Sequence, residues 1–219
     1  MITIQDIKNS GEIKAYIKKG NQVLLSLGYT EHSFSHVGIV EENAVKVLKA
    51  FKNVSERDIE LCRIACYMHD IGNCINRVDH AQSGAVMAFT VLNKIGMEPS
   101  EIADICCAIG NHDEELGQTI SPITAALIIG DKCDVRRSRV QVQNMTYSIH
   151  GRVNFAVTDS KLLVDETKKS ITLKIEIDTS LCSVADYFEI FLKRMLMCKK
   201  AAEFLGGSFH LEINDSKLL

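Results

Sequence analysis

The stretch CYMHDIGNCINRVDH (residues 66–80) places His69 directly before Asp70 at the end of an apolar segment, with Gly72 close behind. The apolar residues before the pair follow a helical period, and a glycine in this position can terminate a helix. An imidazole and a carboxylate are costly to bury without partners. The pair therefore either satisfies itself locally or meets other polar side chains around a ligand.

The composition is that of an ordinary globular protein. The chain has 219 residues, of which 46% are hydrophobic and 24% charged, and its formal net charge is −3. A mildly acidic chain argues against non-specific nucleic-acid binding, so no nucleic-acid partner is expected. The sequence also contains eight cysteines, none in a C-x-x-C pair, which is typical of buried cysteines in a reducing compartment.

A cytoplasmic location without a membrane partner is expected. No apolar run approaches the ~18–20 residues that span a bilayer. The first twenty residues carry charges throughout and lack a signal-peptide core.

Helical periodicity dominates the first 140 residues or so. Ser55 and Ser121 are predicted N-caps, and Pro122 suits a first helical position. The predicted helical segments are residues 1–28 (one or two short helices), 35–51, 55–72, 79–96, 99–112 and 121–140.

The pattern changes after His150. Residues 152–178 alternate with period two and are rich in β-branched side chains, which predicts two or three antiparallel strands. Residues 184–207 predict a long amphipathic helix, and residues 208–215 a last strand. The tail therefore predicts a small α+β unit of order β-β-α-β.

Six histidines and aspartates form the candidate site. Five are expected near helix ends, and Asp131 is expected within an apolar helix. One such histidine alone is more often a core or surface residue, but helix ends of a bundle can meet in one pocket. The six residues are His36, His69, Asp70, His80, His112 and Asp131.

The order H…HD…H…H…D resembles that of the HD superfamily of metal-dependent phosphohydrolases. The segment HVGIVEENA resembles the first-ligand helix of that family, MHDIGN its signature, and GDKCD the segment with its final aspartate. The resemblance covers about residues 30–140. It implies a mainly α fold, an HD-domain helical bundle over residues 1–145, with residues 146–219 as a small C-terminal α+β appendage.

Members of this superfamily that have two histidines between the His-Asp pair and the final aspartate bind two metal ions. Examples are the HD-GYP cyclic dinucleotide phosphodiesterases and the bacterial HD diadenosine tetraphosphate hydrolases. By this resemblance Asp70 bridges both ions. His36, His69 and Asp131 would complete one ion, and His80 with His112 the other.

The resemblance implies two divalent transition-metal ions. Imidazole and carboxylate ligands suit iron or manganese best, with zinc, nickel, cobalt or magnesium as alternatives. Two ions roughly 3.5–4 Å apart can clamp a phosphoryl group and activate a hydroxide as nucleophile. The expected activity is hydrolysis of a small-molecule phosphate ester or nucleotide, with Asp70 and Lys132 as catalytic residues.

Several neighbours have two interpretations. Lys132 either contacts a substrate phosphate or fixes Asp131. Arg136 and Arg137 are candidate phosphate-binding residues, since guanidinium matches phosphate in a fork. Asn73, a further candidate substrate contact, stands where HD-GYP proteins have a lysine.

The sequence lacks features expected for the substrates of both of these groups of enzymes. The glycine-tyrosine-proline motif of HD-GYP proteins is missing after His112, and HD diadenosine tetraphosphate hydrolases have no sheet domain of this length. The tail either covers the pocket, binds a ligand or forms a homodimer. Two further functions stay possible, an HD-type di-iron oxygenase and a non-enzymatic nucleotide-sensing module.

Overall fold

A computed structural model of the chain describes residues 1–140 and 148–219. The first part is built from helices: α1 Ile4–Asn9, α2 Gly11–Ser26, α3 Phe34–Phe51, α4 Glu56–Met68, α5 His80–Lys94, α6 Pro99–Gly110 and α7 Pro122–Lys132. The second part contains α8 Ile149–Ala156, β1 Val157–Asp165, β2 Ser170–Ile177, α9 Val184–Leu205, β3 Ser208–Ile213 and β4 Ser216–Lys217. This confirms the mainly α class with a C-terminal α+β appendage. The domain boundary predicted between residues 145 and 146 lies outside the described residues.

The predicted helix starts are confirmed at two serines. Ser55 accepts a hydrogen bond from the Asp58 backbone N–H, and the Asp58 carboxylate accepts one from the Ser55 backbone. Ser121 caps α7, whose first residue is Pro122. Both arrangements satisfy backbone N–H groups that have no partner within the helix.

The predicted start of the first strand is wrong. Residues 149–156 form α8 instead, because Ser148 caps a helical turn by accepting from the Gly151 N–H. Val153 and Ala156 are buried on one side of this helix. The alternation of apolar residues in this segment is thus also compatible with a short helix, and the strand begins only at Val157.

The appendage is a four-stranded sheet with strands in chain order. β1 and β2 are antiparallel, β2 and β3 are parallel through α9, and β3 and β4 are antiparallel. The short β4 is an addition to the predicted β-β-α-β order.

Helix α7 is the central helix of the molecule, buried on nearly every side. Ala126 and Leu127 belong to a core shared with the N-terminal helices. Ala125 and Ile128 belong to a second core shared with α9 and the sheet. A helix that is apolar on all faces is expected at such a position. In the described part of the chain, no helix is both long and apolar enough to cross a bilayer.

Candidate metal centre

The six predicted site residues converge, each from a helix end. Asp131 is within α7 as expected, but it lies in the last turn rather than in the middle, because the helix ends at Lys132. The six are His36 in the first turn of α3, His69 and Asp70 directly after α4, His80 at the start of α5, His112 after α6 and Asp131 at the end of α7.

Asp70 lies at the centre of the cluster and turns its two oxygens to different histidines. Its Oδ2 is 3.7 Å from His36 Nε2 and 3.3 Å from His69 Nε2. Its Oδ1 is 3.5 Å from His80 Nε2 and 3.9 Å from His112 Nε2. One carboxylate thus connects two pairs of imidazoles.

Asp131 joins the cluster on the side of His36 and His69. Its Oδ1 is 3.3 Å from His36 Nε2 and 3.8 Å from His69 Nε2. Two of the groups whose ligand atoms lie within 4.8 Å of one another are His36 with His69 and Asp70, and Asp70 with His80 and His112. A third group joins Asp131 to His69 and His112.

In all four histidines of the cluster, the Nδ1 atom lies next to a hydrogen-bond acceptor. His36 Nδ1 donates to Asp134 Oδ2 at 2.7 Å. The other three donate to backbone carbonyls, namely His69 to Cys66 at 2.8 Å, His80 to Arg77 at 3.1 Å and His112 to Ile109 at 2.6 Å. Because the proton is on Nδ1, a neutral ring presents the lone pair of Nε2 to the cluster. This is the orientation that metal-binding histidines adopt.

The cluster fits a metal ion. The Nε2 atoms of His36, His69 and His112 are buried and form no hydrogen bond. A buried polar atom without a partner is costly, and here three of them face carboxylate oxygens. Divalent cations between these atoms and the carboxylates would satisfy them, and imidazole with carboxylate is a suitable ligand set.

The charges in the cluster are consistent with metal binding. Burial lowers the pKa of His112 well below its usual value, so the ring stays neutral at pH 7. Burial alone would raise the pKa of Asp70 and lower that of His69, but their mutual attraction outweighs it. The pKa of Asp70 is therefore held well below its ordinary value and that of His69 above it, and a metal ion would displace the additional proton of His69. Neutral imidazoles and ionised carboxylates are the forms that bind metal.

A close helix contact brings His80 to Asp70. A 3-10 turn, Ile71–Cys74, follows the His-Asp pair and packs against the first turns of α5. At Gly72 a Cβ atom would lie against the His80 carbonyl oxygen and 2.6 Å from the Gly84 backbone nitrogen. Only glycine allows the turn and α5 to approach this closely.

Lys132 is buried and holds Asp131. Its Nζ lies 2.7 Å from Asp131 Oδ2 and 2.7 Å from Glu114 Oε2. Of the two predicted interactions of Lys132, the structure contains the one with Asp131. Glu114 in turn accepts a hydrogen bond from Arg194 Nε of α9 at 2.8 Å.

Arg136 and Arg137, the candidate phosphate-binding residues, do not line the cavity that opens beside His80. Arg136 Nε donates to Asp134 Oδ1 at 2.7 Å. Arg137 donates to the Phe155 carbonyl, and its guanidinium lies 4.6 Å from the centre of the Phe155 ring. These contacts draw both side chains to the surface near β1. Asn73 is buried and donates to Asp70 Oδ1 at 2.8 Å, so it orients a cluster residue.

A cavity of about 730 Å³ opens beside His80, between the start of α5, the loop after α6 and helix α9. Its lining includes Tyr29, Arg77, His80, Asp113, His150 and Arg194.

Sequence reasoning missed Asp134 and Arg194. Asp134 lies three residues after Asp131, and this spacing next to a metal-ligand candidate could have indicated a supporting carboxylate. Arg194 lies on an ordinary amphipathic helix, and nothing local distinguishes it from its neighbours.

Comparisons with known proteins agree with the geometry. The HD domain model matches residues 29–143, more than half of the 219 residues. An uncharacterized protein of Methanocaldococcus jannaschii is 27% identical over 212 residues, which cover 87% of this chain and 80% of that protein.

A similar solved structure is that of a predicted HD superfamily hydrolase from an uncultured Thermotogales bacterium. It is 27% identical, with a TM-score of 0.44 and coverage of 57% of this chain and 67% of its own. From the family match, which spans every residue of the cluster, we conclude that the chain belongs to the HD domain family.

Proposed function

We propose that the protein is a phosphohydrolase that uses two divalent transition-metal ions to hydrolyse a small-molecule phosphate ester or nucleotide. His36, His69 and Asp131 would hold one ion, His80 and His112 the other, and Asp70 both. The observation that carries the proposal is the division of the Asp70 oxygens between two pairs of histidines.

Two divalent ions in such a site supply an activated water and neutralise charge on a phosphoryl group. The residues of the chain orient the ligands and admit the substrate. The carbonyls and Asp134 that bind the Nδ1 atoms fix the four rings, and Asn73 fixes Asp70. Lys132 keeps Asp131 oriented and ionised. The cavity beside His80 supplies the approach for substrate.

Iron or manganese is the proposed metal, because both accept mixed nitrogen and oxygen ligands. Zinc, nickel, cobalt and magnesium are the alternatives to include in the assay. Metal binding should also raise the unfolding temperature, since only the folded chain assembles the six ligands.

The test begins with metal analysis of the purified protein and of protein reconstituted with iron or manganese under anaerobic conditions. We expect two equivalents per chain in the wild type and one in His80→Ala. His210→Ala is the matched control, because His210 is exposed in β3 and its ring forms hydrogen bonds with Ser208 and Leu219, away from the cluster. The reconstituted proteins are then assayed with phosphomonoesters, phosphodiesters and dinucleoside polyphosphates.

One equivalent at saturation in the wild type would contradict the two-ion proposal. Oxygen consumption by the di-iron form, without hydrolysis of any phosphate ester, would favour the oxygenase. Unchanged metal content in Asp70→Ala would favour a non-catalytic module.

A further inference from the structure

Arg77 lies at the junction of the cluster and the cavity. It precedes α5, is half-buried and forms part of the cavity wall. Its Nη1 lies 3.3 Å from His80 Nε2, and its guanidinium lies 5.6 Å from the centre of the Tyr29 ring. The backbone carbonyl of the same residue accepts from His80 Nδ1.

The guanidinium of Arg77 has no carboxylate partner within 4.0 Å among residues 1–140 and 148–219. Six other arginines of these residues form ion pairs with carboxylates: Arg57, Arg63, Arg136, Arg139, Arg152 and Arg194. Arg137 also forms no ion pair within the described residues, but its guanidinium donates to the Phe155 carbonyl. Among the residues that the structure describes, the acceptors of Arg77 are neutral: His80 and, at 3.5 Å, Asn73.

This position is unfavourable for a site that only has to bind cations. A guanidinium at His80 Nε2 competes with a metal ion for the same lone pair, and two positive charges repel each other strongly in a partly buried site. The arrangement becomes favourable when an anion enters the cavity, because the anion can contact both the arginine and a divalent ion.

We propose that Arg77 binds the anionic phosphate group of the substrate beside the ion held by His80 and His112. The inference rests on the proposed phosphohydrolase function. Within the described part of the chain, Nε and Nη2 of Arg77 form no hydrogen bond, so both are available as a fork for two phosphate oxygens. This assigns to Arg77 the role that the sequence suggested for Arg136 and Arg137.

The test measures binding of inorganic phosphate to manganese-loaded protein by calorimetry. We expect Arg77→Met to weaken phosphate binding by about 10- to 100-fold, the effect of losing a charged hydrogen-bonding group. Arg77→Lys should be intermediate, since it keeps the charge and loses the fork. Arg137→Met should match the wild type, because it removes the same charge at a different cavity.

A second measurement separates substrate binding from a structural role. Titration of metal-free protein with manganese, without phosphate, should show that Arg77→Met binds the ion at least as tightly as the wild type. Loss of metal in this variant would mean that Arg77 only orients His80, and it would overturn the proposal.

Equal phosphate affinity in Arg77→Met and the wild type would also overturn it, as would no phosphate binding by the wild type. With an active substrate, we expect Arg77→Met to raise KM more than it lowers kcat. If no phosphate ester is hydrolysed, the proposed function fails, whereas the phosphate titration still decides the role of Arg77.

Discussion

Gly72 is the residue whose size matters most for the arrangement of ligands. It lies between Asp70 and His80 in the chain and touches the backbone of α5. The sequence suggested only that this glycine ends a helix. In the structure it also sets the distance between the His-Asp pair and the third histidine, because no side chain fits between the turn and α5.

We therefore expect Gly72→Ala to disturb both stability and metal binding. The added methyl would overlap the His80 carbonyl oxygen, so α5 must shift, at a cost of roughly 1–3 kcal/mol. Metal content, measured after reconstitution, should fall because His80 moves from Asp70.

Gly38→Ala is the control. Gly38 is exposed in α3, and its added methyl would meet no atom within 4 Å, so stability should rise by about 0.5–1 kcal/mol. Urea unfolding measures both variants. Wild-type stability and metal content in Gly72→Ala would contradict the close-packing argument.

Helix α9 is the element whose role could not be predicted from its own sequence. Its periodicity correctly predicted an amphipathic helix, and Gly206 ends it with a positive φ of 88°. The periodicity does not distinguish Lys193 from Arg194. In the structure Arg194 reaches Glu114 beside the cluster, whereas Lys193 forms an exposed pair with Glu115.

These neighbouring residues form a matched pair for mutation. Arg194→Met should destabilise the protein by about 1.5–3 kcal/mol, because the partly buried Glu114 loses a charged hydrogen-bond donor. Lys193→Met should change stability by less than about 1 kcal/mol, since exposed ion pairs contribute little. Chemical denaturation of the metal-free proteins compares them. Equal effects would show that the contact of α9 with the loop after α6 is unimportant.

In the whole molecule, the second of the two cores joins the helical bundle to the appendage. Ala125 and Ile128 of α7 pack in the same cluster as Tyr187 of α9 and Ile171 of β2. The division into residues 1–145 and 146–219 stays a prediction, and this core argues that the two parts fold together.

A fragment of residues 1–140 should therefore not fold cooperatively. It would expose the α7 face that α9 and the sheet cover, and it would lose Arg194. The expected result is a broad thermal transition by circular dichroism and weak metal binding. A sharp transition with full metal content in the fragment would show instead that the helical part is independent.

The resemblance to the HD superfamily indicated the six residues that converge. Sequence patterns predicted the helices, most of their ends, and the appendage apart from α8 and β4. These features are local, because capping serines, glycines and a 3.6-residue period act within a few residues of the chain. The order of histidines and aspartates was sufficient to indicate the family.

The residues that support the cluster are brought to it by contacts that are distant in sequence. His36 meets Asp134 across 98 residues, and Arg194 meets Glu114 across 80. Arg77 is close to its partners in sequence, yet its lack of a carboxylate partner depends on the whole fold. Such contacts depend on how the helices pack against one another. The type of a residue therefore does not indicate which distant residue will lie next to it.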